Sequence, residues 1–498
     1  MISIQVIDKS SGRYKVVKTI GSSADAKVID ELFEEGKKWI ATRQGQINLF
    51  EQLDKEKEEE QVVEQLLSNI ENILINGTQI ILEKVYKAIG FDQINDDILK
   101  HLVVARLSQP MSKSATIDYL KAYFDEELHY QKIYWYMDQL DEQEQQRIQK
   151  ISVDHTREIL GGEIGLVFYD VTTLYFESEK ADELREKGFS KDGKHSRVQV
   201  VLGLLVSRGG YPLSYSLFNG SQYEGYTMLP VVEDFIERFG LKDFVVVADS
   251  GLMNKSNMEQ LEASGYKYII GARIKNESKP IKSWILSLEK SEGLFYEHKK
   301  QKGRLIVGYS ARRAKMDAYN REKGLRRLKK AFKSGKITKD NINKRGYNKF
   351  LEITKGVKVS INEQKVSEDQ KWDGLKGYFT NTHLPTKEVY EQYNELWVIE
   401  RAFRVTKGTL ELRPMFHFTP KRIQAHVAIC FVAFKVYKEL ERILKLRGMD
   451  MSVDKVLAIA KTITTIKVRL PLSGETMTRT LLITEKQKSI AELIKEPI

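Results

Sequence analysis

The feature that most restricts the fold of this chain is a change of texture at Gly165. From Asn95 to Leu160 the sequence reads as one helix after another. It then turns into GLVFYDVTTLYF, an apolar, β-branched run of the kind that forms a buried strand. Two more strands follow, VQVVLGLLVS (Val198–Ser207) and YPLSYSLFNG, separated by Arg-Gly-Gly as a tight turn. A helical stretch from about Tyr226 to Phe239 leads into DFVVVADSG, then comes helix NKSNMEQLEASG and strand YKYIIGAR. The order is β-β-β-α-β-α-β.

Three antiparallel strands followed by parallel ones make the order of a ribonuclease-H-like α/β domain. That domain is expected over residues 161–272 and again over 376–447, with a partly β insertion at 273–375 that breaks its rhythm. The insertion holds a hairpin, LFYEHKKQKGRLIVGYS, and a basic helical segment. Between Arg312 and Lys349 fifteen basic residues face only Asp317, Glu322 and Asp340, a local excess larger than the +11 net charge of the whole chain. Either this is a solvated helix or it is a surface for phosphate, and an excess this concentrated favours phosphate.

Residues 1–160 are expected to be mostly helical, after an N-terminal hairpin with Gly12 in its turn. The acidic stretch EQLDKEKEEEQVVEQLLSNIENILI reads as one packing helix. SKSATIDYLKAYF and LHYQKIYWYMDQL form either an ordinary helical pair or a helix-turn-helix, whose exposed side would carry His129, Lys132 and Tyr136. Residues 448–498 form a C-terminal region with a helix, the alternating TITTIKVRL and a hairpin through SGETMTRTLLI. The apolar helix KRIQAHVAICFVAFKVYKELERIL is expected to be buried against the catalytic domain or a second subunit.

Three carboxylates stand out by position. Asp170 closes the first apolar strand, Asp249 closes the fourth, and Glu400 lies on a helix after the insertion, beyond Pro385 and a capping Thr386. Read at 100° per residue, Tyr393, Leu396, Glu400, Arg404 and Lys407 share one stripe of that helix. Taken alone, Glu400 and Arg404 are an ordinary i,i+4 pair. With the first and fourth strands adjacent, Asp170 and Asp249 converge, and crowded carboxylates recruit a hard cation such as Mg²⁺ or Mn²⁺. Two such ions suit phosphodiester chemistry.

The segments YDVTTLYF, VVVADSGLMN and Y-x2-L-x3-E-x6-K from Tyr393 to Lys407 resemble the DDE transposases of bacterial insertion sequences. The resemblance is to the insertion-sequence-four group with its Tyr-Arg-Glu-Lys signature, in particular the branch numbered sixteen-thirty-four. GFSKDGKHSRVQVVLGL and ELRPMFHFTPKRIQAHVAICFVAF are similar to that branch as well, and the likeness covers residues 160–445. It implies Asp170, Asp249 and Glu400 as the metal-binding, catalytic triad, and Tyr393 and Lys407 as contacts to the transposon end. Leu396 stands where the signature has Arg, so Arg404 or Arg401 is the candidate substitute. The implied partners are double-stranded DNA, as terminal inverted repeats and target, and a second copy of the chain in the synaptic complex.

The implied activity is metal-dependent cleavage at element ends and 3′-hydroxyl strand transfer. Two rivals stay open: a ribonuclease-H-like nuclease without strand transfer, and an inactive, domesticated DNA-binding protein. No G-x-x-x-x-G-K-[ST] loop provides for nucleotide hydrolysis. His195, His417 and His426 lack H-E-x-x-H spacing, and Cys430 is the single cysteine, which excludes a disulfide framework. Without a membrane-length apolar run or a signal-like start, the expected location is the bacterial cytoplasm.

Overall fold

The computed structural model describes residues 1–43, 49–94, 96–190, 193, 196–241, 244–252, 255–334, 346–354, 358–413 and 415–495. The chain divides into two compact units, Met1–Leu74 with Thr464–Leu481, and Ile75–Ile463 with Leu482–Ile498.

In the smaller unit, β1 (Ile2–Asp8) and β2 (Lys15–Ser23) form an antiparallel hairpin against which α1 (Ala26–Arg43) packs. Gly12, at φ +76°, supplies the left-handed residue of the turn. The acidic helix α2 (Leu49–Ser68) is shorter than its sequence pattern suggests. Residues Ile70–Leu74 leave it as β3, which pairs with Thr464–Arg469, itself paired with Thr476–Leu481. Ile70 and Ile73 fit a helical period, but IENIL also alternates, and strand pairing decides between the two.

The larger unit begins with α3 (Gly77–Ile89), α4 (Asp97–Ser108), α5 (Lys113–Phe124), α6 (Tyr130–Gln139) and α7 (Glu142–Ile159). Asp96, Ser112 and Asp141 cap α4, α5 and α7 through their side-chain oxygens. In α6, Tyr136 is buried while His129 and Lys132 are exposed, so the outer side expected of a recognition helix is only partly present. Tyr130 and Trp135 are the exposed aromatics of this helix.

The strands β4 (Leu166–Tyr175), β5 (Gln199–Ser207) and β6 (Pro212–Asn219) are antiparallel. Helix α8 (Met228–Phe239) leads to β7 (Val245–Ala248), parallel to β4, and α9 (Lys255–Ala263) to β8 (Lys267–Ala272), parallel to β7. After α10 (Lys279–Ser287), the hairpin β9 (Phe295–Lys300) and β10 (Gly303–Tyr309) joins the same sheet. The basic helix α11 (Ala311–Lys333), the small hairpin β11 (Leu351–Thr354) and β12 (Lys358–Ile361), and α12 (Glu363–Gln370) precede β13 (Leu375–Thr380). The eight strands run β6-β5-β4-β7-β8-β13-β10-β9, so part of segment 273–375 extends the central sheet.

Both faces of the sheet are covered, which is why its central strands are apolar without alternation. Phe168, Leu174, Leu202 and Val247 face a core shared with α3 to α6 and with the returning helices α13 (Thr386–Asn394), α14 (Trp397–Arg404), α15 (Pro420–Leu446) and α16 (Val453–Ala460). Val167, Tyr169, Val246 and Ala248 face a second core with α8 and α9. Helix α15, apolar nearly all round, is enclosed by α3, α4, α6, α7 and β6, and α17 (Glu485–Lys495) packs on α3 and α16. Among the described residues no helix is long and apolar enough to cross a membrane.

Candidate active site

The geometry starts from one register. Strands β4 and β7 are parallel, with Tyr169 opposite Ala248, so Asp170 and Asp249 are the residues that directly follow the last registered pair of two neighbouring strands. Strand β7 ends there, but β4 does not: it continues to Tyr175, paired with β5. The expectation that Asp170 closes its strand is corrected accordingly. The Val-Thr-Thr-Leu-Tyr that follows it is as strand-forming as what precedes it.

By strand alternation Asp170 lies on the face of Phe168, the face covered by α14 through Ile399, Ala402 and Phe403. Asp170 is half-buried, and its Oδ1 accepts the Val171 amide at 2.8 Å. Asp249 and Glu400 are exposed.

The helix expected to carry Tyr393 and Glu400 together is interrupted. Helix α13 stops at Asn394, Glu395 and Leu396 form a bend, and α14 begins at Trp397. Thr386 is the first residue of α13 rather than its cap, a place taken by Pro385. After Arg404 the chain widens into a π-helical turn, Val405–Thr409, which carries Lys407 off the ideal stripe. Leu396 packs against the core, and Glu395 pairs with Arg208 at 3.0 Å.

Tyr393 is 3% exposed, and its hydroxyl donates to Asp249 Oδ1 at 3.1 Å. Burial pushes the phenol's proton affinity up, and the charge and hydrogen bond of Asp249 push it further. Gly271 on β8 makes room for this contact, since a Cβ there would lie 2.5 Å from the Tyr393 hydroxyl oxygen. Asp249 is thus held from the α13 side by a neutral donor.

A further cation, not foreseen from the sequence, completes the arrangement. Lys376 on β13 sits over the Tyr393 ring at 4.5 Å and over the Tyr378 ring at 5.6 Å. Burial lowers its proton affinity and Arg313 lowers it further, while Asp249 and Glu400 act in the opposite sense. One ammonium therefore senses two of the three carboxylates, and Arg313 brings the start of the basic helix α11 into the same field. The clue in the sequence was a lone Lys in WDGLKGYFTN, which pattern alone cannot separate from a solvent-facing strand residue.

The remaining cations are placed as follows. Arg401 pairs with Glu441. Burial raises the affinity of that carboxyl for a proton, but Lys438, Arg401 and Lys445 outweigh it and hold it below the usual range. Arg404 is exposed, and Lys407 lies 5.9 Å from the centre of the Phe403 ring. Arg321, one of the fifteen basic residues, is tied to Asp373 by two 2.6 Å bonds and belongs to the framework. Arg312, Arg313, Lys315, Lys323, Arg326, Arg327, Lys329, Lys330 and Lys333 are exposed along α11. Positions 336, 339, 344 and 345 lie outside the described residues, as does His195.

Three carboxylates offer only oxygen donors, which suits a hard divalent ion. Their oxygens do not form a closed set: among the described residues, the one group of three His, Cys, Asp or Glu ligand atoms all within 4.8 Å of one another lies elsewhere.

The family described as "Transposase DDE domain" matches residues 161–434. No curated protein matches the chain. Among solved structures, the chain is similar to the one titled "Cryo-EM structure of piggyBac transposase synaptic complex with hairpin DNA", at 9% identity and a TM-score of 0.38, covering 76% of this chain and 70% of that one.

Proposed function

The chain belongs to the DDE transposase family, and we propose that it is the transposase of an insertion sequence, of the insertion-sequence-four group and its branch sixteen-thirty-four, with Asp170, Asp249 and Glu400 as its catalytic carboxylates. The observation that carries this reading is the parallel register of β4 and β7, whose last pair Asp170 and Asp249 directly follow, under the layer that bears Glu400. The same reading takes the sheet as ribonuclease-H-like, with 273–375 as its insertion, 1–160 as the region for DNA-end recognition, and 448–498 as a C-terminal addition.

The three carboxylates would hold Mg²⁺ or Mn²⁺, two ions in all, which when bound supply an activated oxygen nucleophile and stabilise the leaving oxygen. Tyr393 orients Asp249 through its hydroxyl. Lys376 holds positive charge beside Asp249 and Glu400 until metal and phosphate arrive. The exposed cations of α11, with Lys407 and Arg404, would grip the DNA backbone. Arg401, committed to Glu441, is the weaker candidate for the Arg that the signature lacks. The substrate is double-stranded DNA, the terminal inverted repeats first and the target second. Two chains would hold the two ends in a dimer, acting in the bacterial cytoplasm.

The decisive experiment uses labelled DNA carrying an element end and a pre-cut version of it. Asp170→Asn, Asp249→Asn and Glu400→Gln are each expected to lower Mg²⁺-dependent cleavage by about 10³-fold or more while DNA affinity stays. Near-normal cleavage by any one of them sinks the triad. Joined products from the pre-cut end distinguish a transposase from a nuclease that stops at hydrolysis. Binding without cleavage by the unsubstituted chain would mark an inactive, domesticated protein.

A further inference from the structure

Far from the sheet ends in sequence, the N-terminal helices of the larger unit bring together Glu83 of α3, His101 of α4 and Glu126, which follows α5. One ligand atom from each lies within 4.8 Å of the others. Helices α3 and α4 pack directly on each other. Asp125, in the left-handed region at φ +61°, ends α5 and turns the chain so that Glu126 returns toward α4.

His101 is the informative member. Its side chain is 7% exposed, and Glu126 Oε2 lies 3.6 Å from Nε2, beyond hydrogen-bonding distance. The ring makes no hydrogen bond among the described residues, although a buried imidazole ordinarily finds one.

The two carboxylates are held side by side by one amide. Gln79 Nε2 donates to Glu83 Oε1 at 3.0 Å and to Glu126 Oε1 at 3.3 Å. The amide carries no charge to offset the carboxylates. The neighbouring Lys100 pairs with Asp97 at 2.8 Å, and its ammonium also interacts with Glu83 and Glu126. Like charges this close repel unless a cation joins them.

We propose that Glu83, His101 and Glu126 form a Zn²⁺ site, separate from the DDE carboxylates, that fastens α3, α4 and the end of α5 together. One imidazole nitrogen with two carboxylate oxygens is a donor set suited to zinc, whereas an imidazole is a poor ligand for Mg²⁺. Tetrahedral bonds of about 2.0–2.1 Å place ligand atoms about 3.4 Å apart. The His101–Glu126 separation of 3.6 Å already approaches that value. Three protein ligands leave one position for water.

The test takes the full chain, stripped of metal by chelator, and titrates Zn²⁺ by calorimetry while following its melting temperature. One Zn²⁺ per chain and a raised melting temperature are expected, and both should persist in the Asp170→Asn/Asp249→Asn/Glu400→Gln variant. Glu126→Gln and Glu83→Gln, each able to keep a contact to Gln79, should weaken binding at least about tenfold, and His101→Gln should abolish it. The site is overturned if the unsubstituted chain binds no Zn²⁺, if both glutamine variants bind it undiminished, or if binding disappears with the DDE carboxylates. Loss of cleavage by the DDE variants bears only on the proposed function and leaves this site standing.

Discussion

The sheet-end site and the helical layer handle buried charge in opposite ways. At the sheet ends the signs are mixed: Lys376 lies among Asp249, Glu400 and Arg313, and Tyr393 donates to Asp249. The carboxylates there are half-buried or exposed and do not close on one another. In the helical layer, beside mixed pairs such as Arg442–Glu439, two groups are each dominated by one sign. Glu83, His101 and Glu126 form one group. Lys113 and Arg106, both buried, share another neighbourhood with His417, His426 and Cys430. The difference fits two uses of charge. A site that must admit a large polyanion stays open and holds its acids with replaceable protein cations. A site that joins helices closes on itself before any substrate comes.

The largest expected effect in this comparison concerns Lys113, the first residue of α5. Among the described residues its ammonium has no carboxylate and no hydrogen bond. Burial, with help from Arg106, pushes its pKa down to about 7 from 10.5. Its folded value lies below its unfolded one, so the folded chain binds fewer protons between pH 7 and 10.5, and stability rises with pH across that window. The cost is complete below pH 7. Lys113→Met should therefore stabilise the chain by at most about 5 kcal/mol at pH 6.5, a gain that shrinks toward nothing near pH 10.5. Urea unfolding at pH 6.5 and pH 9.5 measures it. An equal gain at both values, or a loss at the lower one, would show that Lys113 has a compensating partner.

Lys376 sharpens the other side. A cation beside Asp249 and Glu400 opposes the arrival of a second cation. Lys376→Gln should tighten Mn²⁺ binding to the DNA-free protein, on the order of tenfold, as read by electron paramagnetic resonance. Unchanged or weaker binding would mean that the ammonium orders the carboxylates instead of holding their place. The glutamine keeps a polar group over the Tyr393 ring, so a gross packing defect is not the expected outcome.

The two sites were legible in the sequence to different degrees, for physical reasons. A period of two and a β-branched run mark a strand, and an Asp beside the apolar run of each of two strands that pair in register is a readable coincidence. That is why Asp170 and Asp249 stand out as candidates, and both directly follow the registered pair Tyr169 and Ala248. The continuation of β4 past Asp170, the bend at Glu395–Leu396 and the π turn around Lys407 did not emerge, because helix and strand periods do not encode where packing interrupts them. Lys376 was hidden because its meaning depends on β13 entering the sheet next to β8. Glu83, His101 and Glu126 carry no motif at all. Their spacing is set by how three helices pack, and each residue alone reads as an ordinary surface or core position.

Tyr393 is where the two views of the sheet-end site meet, and the smallest predicted effect decides between them. The resemblance makes Tyr393 a DNA contact, whereas the structure spends its hydroxyl on Asp249 and leaves the residue 3% exposed. As a positioning residue it acts through Asp249, so Tyr393→Phe removes one hydrogen bond and keeps the ring over which Lys376 lies. A single neutral donor to a carboxylate is worth about 1 kcal/mol, which is roughly a fivefold lower cleavage rate at saturating DNA. The loss should appear in the rate and in the metal concentration needed for half-maximal activity. DNA affinity and its dependence on salt should not move, because no phosphate contact is lost. Weaker DNA binding with a shallower salt slope, at an unchanged metal requirement, would return Tyr393 to the DNA and leave Asp249 without the partner the structure assigns it.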